Sequence, residues 1–219
     1  MAQSADNQAG VDRIEQSMPS LEHLEQSLRS KRDLGKLLGV HAQPSGRGRQ
    51  IADGYVRLVE KAVLEYQESR TKLVAFLADG TVDYQHRAQD HFESCVQSLH
   101  RAIEYLERLR RLGYKRGDGA PFIPRPRELE VLRESVRVQV RGMRDAVEHL
   151  DRDILEGKLP EKAKVGIHLG WEKASLGSRE IRYADIARWI TQLHEYAALL
   201  SRVHLVVSPA PHKDDANDA

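Results

Sequence analysis

The sequence predicts an all-α fold: an antiparallel helical bundle with a small β-hairpin before the last helix. Three observations predict it. Apolar residues recur at three- and four-residue spacing over most of the chain. Charged residues make up 31% and aromatics only 5%, which suits surface-rich helices better than a sandwich needing many β-branched and aromatic positions. Strand-like alternation is confined to one short stretch, and Gly- and Pro-rich breaks separate the periodic segments.

Taken in order, residues 1–18 and 207–219 are polar and aperiodic and read as disordered tails. Residues 19–49 read as an N-terminal helix and linker: Ser20 is a cap, Leu21, Leu24 and Leu28 follow at helical spacing, and HAQPSGRGRQ ends the run. Residues 50–206 form the body. Its first helix starts near Ile51 and carries Tyr55, Leu58, Val59, Ala62, Val63, Tyr66, Leu73 and Phe76 to Asp79-Gly80. The second starts at Val82 and keeps the period through Phe92, Cys95, Val96, Leu99, Ile103, Leu106 and Leu109 to Gly113, so the two form an antiparallel pair. GYKRGDGAPFIPRP is then a loop. The third helix is expected from Pro126 to Gly157, with Leu129, Leu132, Val136, Val140, Met143, Val147, Leu150 and Ile154 as its core stripe. KVGIHLGW and SREIRY, joined by EKASLG, suggest the hairpin, and ADIARWITQLHEYAALLSRV closes the body as a final helix.

With 34 basic and 33 acidic residues the chain has a formal charge of +1, so no global field steers it toward nucleic acid or membrane, and any anion site must be local. The single cysteine, Cys95, excludes an intrachain disulfide. The amino terminus lacks the basic start and apolar run of a signal peptide, and no apolar run approaches the ~20 residues of a membrane span. A cytoplasmic protein without membrane contact is expected. Phosphate-binding glycine loops, nucleophile motifs and helix-turn-helix patterns are not evident. His91, Cys95 and His100 suggest a metal, yet no second ligand pair accompanies them, so neither metal nor cofactor is expected.

The segment that invites chemistry is Arg144-Asp145-Ala146-Val147-Glu148-His149, late in the third helix. Arg141, Arg137 and Arg133 precede Arg144 at roughly one-turn spacing and form a candidate substrate-binding ladder. Arg108, Arg110, Arg111, Lys115 and Arg116 could extend it. The competing reading of the ladder is a solvated face paired with Glu130, Glu134 and Glu148. Five positions along a straight helix rotate by ~140°, so Arg144 and His149 do not point to one spot unless the helix distorts or a second subunit completes the site. A second strip, Val131, Ser135, Val138, Gly142 and His149, lies opposite the core stripe, and a homodimer would cover it.

The order of helices and RDAVEHLDRDI together resemble the higher eukaryotes and prokaryotes nucleotide-binding (HEPN) family over residues 50–203, through its Arg-x4-His motif with a polar residue after the arginine. The resemblance implies a metal-independent RNA endonuclease of toxin or defence type. In such a protein two motifs meet at a homodimer interface, and an antitoxin or accessory protein is a further partner. It implies His149 as general acid or base and Arg144 as phosphate and transition-state stabiliser; Asp145, one turn before His149, would orient the imidazole. The alternative is a catalytically inactive helical module that binds a protein or nucleotide.

Overall fold

The computed structural model describes residues 2–37, 47–113, 123, 125, 127–157 and 166–202. The tail at 207–219, Pro126, Lys115 and Arg116 lie outside them. Helix α3 (Arg47–Asp79) and helix α4 (Val82–Arg111) run antiparallel and form the spine of a helical bundle. Their periodic residues meet in one core: Tyr55, Val59, Ala62 and Tyr66 of α3 and Phe92, Cys95, Val96 and Leu99 of α4 are all shut from solvent. The turn between them is short because Gly80 takes φ +78° and its N–H caps the Phe76 carbonyl at 2.7 Å, a left-handed helix end that glycine adopts without steric cost. Helix α7 (Tyr183–Ser201) packs on α3 with Ile186, Trp189, Ile190 and Leu193 inward. The buried Tyr55 hydroxyl donates to the Leu193 carbonyl at 2.6 Å, so its burial leaves no donor unmet.

Four expectations are corrected. Residues 2–17 are not a disordered tail but helix α1 (Ala2–Ser17), docked on α3 through Ile14, 1% exposed, with Met18 just beyond it at 0%. Residues 20–27 are irregular, with a turn at 22–23, and the helix expected from Ser20 is only α2 (Leu28–Leu37). Leu21 and Leu24 are nonetheless buried, and the Leu21 N–H donates to Gln67 Oε1 at 3.0 Å. Ile14, Met18, Leu21, Leu24 and Leu28 therefore belong to the same core as the body.

The third helix is also not continuous. A 3-10 turn at Glu130–Leu132 precedes α5 (Glu134–Glu148), because Arg133 adopts extended backbone (φ −63°, ψ 143°). The chain then departs from helical geometry at His149 (φ −106°, ψ 6°) before the short α6 (Leu150–Leu155).

The hairpin, finally, is a three-stranded antiparallel sheet: β1 (His168–Leu169), β2 (Lys173–Leu176) and β3 (Arg179–Arg182). Its central strand is the KASL stretch expected to be the connection. Ala174 pairs with Ile181 and Leu176 with Arg179 across a two-residue turn whose Gly177 has φ +57°. Ala174, Leu176 and Ile181 turn one face to the core, and the sheet leans on α5.

Candidate functional site

Helix α5 sits against α4 through Val136, Val140 and Met143, the buried members of its apolar stripe. That packing fixes which way its arginines face. Arg144 is half-buried and doubly engaged: Nη1 donates to Asp145 Oδ1 at 2.8 Å, and Nη2 lies 2.6 Å from Glu148 Oε2. The hydrogen bond to Asp145 is the largest cause holding its pKa above the ordinary arginine value.

Asp145 thus spends its carboxylate on Arg144. What reaches His149 from Asp145 is its backbone carbonyl, which accepts the His149 N–H at 3.0 Å. The helix stays regular from Arg144 to Glu148 and its dihedrals depart only at His149, so the structure does not bring the Arg144 and His149 side chains to one spot. The half-buried His149 sits at the joint between α5 and α6.

The rest of the ladder divides. Arg137 pairs with Glu134 at 3.3 Å, as the solvated-face reading expects. Glu130 is taken by Arg188 of α7 in a two-point contact at 2.9 Å. Arg133 and Arg141 are exposed and have no ion pair among the described residues. Arg110 and Arg111 converge on the buried Glu107 at 2.7 and 3.1 Å, and Arg108 lies over the Tyr105 ring, so these three do not extend a free track.

The second strip is not the open face expected of it. Val131 is 0% exposed, and its N–H donates to Gln192 Oε1 of α7 at 3.1 Å. Over Gly142 lies the Arg179 guanidinium of β3, within 3.5 Å of where a Cβ would stand. The chain itself covers both positions. Ser135 and Val138, the latter 50% exposed, remain open.

In the sequence His100 stands out only as a metal ligand beside His91 and Cys95. Cys95 is core, as expected of its place in the apolar stripe, and His91 Nδ1 sits 2.7 Å from Glu65 Oε2. No group of three metal-ligating side chains occurs among the described residues. His100, half-buried on α4, instead lies within the electrostatic reach of Arg141, Arg144 and Asp145. Burial is the main cause that lowers its pKa; Glu104 and Asp145 oppose it, and the two arginines add to it. This imidazole, within electrostatic reach of Arg144, has no counterpart in the motif, since the signal joining them is α4–α5 packing rather than spacing. Trp171 packs on α1, with Gly10 against its ring and the Arg13 guanidinium 5.4 Å from its centroid.

The end of α5 therefore carries Arg141, Arg144, Asp145 and Glu148, the first three within electrostatic reach of His100, with His149 at the joint to α6. Comparison with protein-family models, with curated proteins and with solved structures finds no match to this chain. No described helix is long and apolar enough to cross a membrane.

Proposed function

We propose that this chain is an HEPN-like, metal-independent RNA endonuclease of toxin or defence type, acting in the cytoplasm as a homodimer, with the α5–α6 joint as its half-site. The observation that carries the reading is the break in helical dihedrals at His149, five residues after an arginine that is charged, half-buried and within electrostatic reach of a second imidazole. The chemistry is in-line transfer. The 2′-oxygen of the RNA attacks phosphorus and the P–O5′ bond breaks. One imidazole removes the 2′-hydroxyl proton, another protonates the departing 5′-oxygen, and Arg144 holds the non-bridging oxygens.

The carboxylates on Arg144 do not preclude this. Each of its pairs is about one-third exposed, and such pairs contribute about 0.2–1 kcal/mol. A charge-assisted phosphate contact contributes about 1.5–3 kcal/mol, enough to compete. A second copy is the partner the HEPN resemblance calls for, with the two Arg-x4-His motifs meeting across one phosphodiester. Beyond His149, Ile154 and Leu155 are 42% and 87% exposed and supply apolar surface beside the motif. Exposed Arg141 and Arg133 are the groups on this face free to meet an RNA backbone. An antitoxin or accessory protein would act by covering the same joint.

The test is cleavage of single-stranded RNA in EDTA. Products should carry 2′,3′-cyclic phosphate and 5′-hydroxyl ends, and a 2′-deoxy substitution at the cut nucleotide should block the cut. Arg144→Ala should abolish activity while the circular dichroism and melting of the protein are retained. The second reading, a catalytically inactive helical module, is favoured by the double engagement of Arg144, which is the geometry of a structural ion pair. Under it, the folded wild-type protein leaves RNA intact.

A further inference from the structure

A polar cavity lies between α2 and α3, with Tyr105 of α4 at its wall. It has a volume of about 340 Å³ and is lined by Arg29, Arg32 and Lys36 of α2, Asp53 and Arg57 of α3, and Tyr105 of α4. We propose that this cleft is an anion site for a small phosphate-bearing molecule. The inference does not depend on the reading of α5, because the residues that carry it lie on other helices.

Arg32 is the buried cation of this cleft. It is 2% exposed, an unusual place for a guanidinium, and it is only partly satisfied. Nε donates to Asp53 Oδ1 and Nη1 to the Leu200 carbonyl at 2.6 Å. A guanidinium has five N–H donors, so the others have no partner among the described residues, and they belong to a side chain that lines the cavity. Buried donors left unpaired are disfavoured, and a phosphate oxygen supplies the acceptor.

The charge balance points the same way. Two carboxylates, Asp33 and Asp53, face the cleft, and both are engaged by Lys36, at 2.8 and 2.9 Å. Burial opposes the charge of Asp53, but the hydrogen bonds from Lys36 and Arg32 outweigh it and keep its carboxyl below the ordinary pKa. With Lys36 and Arg32 answering those two charges, the exposed Arg29 and Arg57 line the cavity with no ion pair among the described residues. Glu60, whose Oε1 accepts the backbone N–H of Arg29 at 2.9 Å, trims this excess without removing it.

The wall beside these cations is Gly54 and Tyr105. A Cβ at Gly54 would stand 2.5 Å from Tyr105 Cε1, so glycine is what lets the aromatic ring lie against α3 and bound the cleft. Cationic groups beside an aromatic wall, in a volume near the lower end of the range for small-molecule sites, suit a phosphomonoester better than a bare peptide carboxylate.

The test is calorimetric titration of the full chain with inorganic phosphate and, separately, with ribose 5-phosphate, for the wild type and for Arg29→Gln/Arg57→Gln. The wild type should show saturable one-to-one binding, and the double variant should lose roughly tenfold or more in affinity with an unchanged melting temperature, because both side chains are exposed. Tighter binding of ribose 5-phosphate assigns the aromatic wall to the body of the ligand; equal binding assigns the site to the phosphate group alone. Absence of saturable binding to either probe, or affinity the double variant leaves unchanged, overturns the proposal.

Discussion

Truncating Ile14 to alanine should destabilise the whole protein. The side chain is 1% exposed and sits where α1 meets α3, beside Met18 at 0%. Three buried carbons are lost, at about 0.8 kcal/mol each for transfer alone. The cavity left behind adds to this, and because the site lies at the seam of one docked helix, part of it can collapse. The expected cost is about 3 kcal/mol.

For a chain of this size each kcal/mol lowers the melting temperature by about 2–4 °C, so Ile14→Ala should melt about 6–12 °C below wild type. Circular dichroism at 222 nm measures this. Tryptophan fluorescence gives a second readout, since Gly10, Arg13 and the Ser17 hydroxyl all touch Trp171. A melting temperature within 1 °C of wild type (roughly 0.3 kcal/mol), with unchanged fluorescence, would mean that residues 2–18 are not part of the cooperative core.

Other consequences follow from single contacts. Asp53→Asn removes the carboxylate held by Arg32 and Lys36. Breaking a buried pair costs about 3–5 kcal/mol, but Asp53 is 35% exposed, so about 2–3 kcal/mol is expected at pH 7 by urea unfolding. Because that carboxyl's folded pKa lies below its unfolded value, its contribution is present above about pH 4 and fades as pH falls through the folded value. The gap between Asp53→Asn and wild type should therefore narrow in melts at pH 3. Gly54→Ala would gain about 1 kcal/mol of helix propensity in open surroundings. Here the 2.5 Å approach to Tyr105 should reverse the sign to a net loss of about 1–2 kcal/mol, read from the same melts. Cys95 is fully buried, and burial pushes its thiol pKa far up, so a disulfide reagent at pH 8 should label it only after denaturant is added.

The parts of the fold legible in the sequence are those where a 3.6-residue rhythm lasts long enough to name a face. In α4 each apolar position chosen, from Phe92 to Leu109, is buried, and in α3 Phe76 alone among those chosen is only half-buried. Helix α1 was illegible because it anchors chiefly through Ile14 and through contacts distant in sequence, such as Gly10 against Trp171. Strand β2 was hidden because Lys173 and Ser175 alternate with a residue as small as Ala174, whose burial is decided by pairing with Ile181.

At the site, residue types were legible and relations were not. No residue around His149 announces a bend, Glu148 and Asp145 were free to choose partners, and His100 reaches Arg144 only through helix packing. Arg32 did carry a signal: Leu28, Arg32 and Gly35 fall at helical spacing and are the buried residues of α2, which places a charge on an inward face.

The most direct measure of the central claim is the rate at which His149→Ala cleaves single-stranded RNA in EDTA relative to wild type, with oligomeric state followed by sedimentation. The account predicts a dimer in both and a rate lower by about 10²–10⁴ in the variant, the range for a lost general acid or base. Cleavage by His149→Ala at the wild-type rate would contradict it.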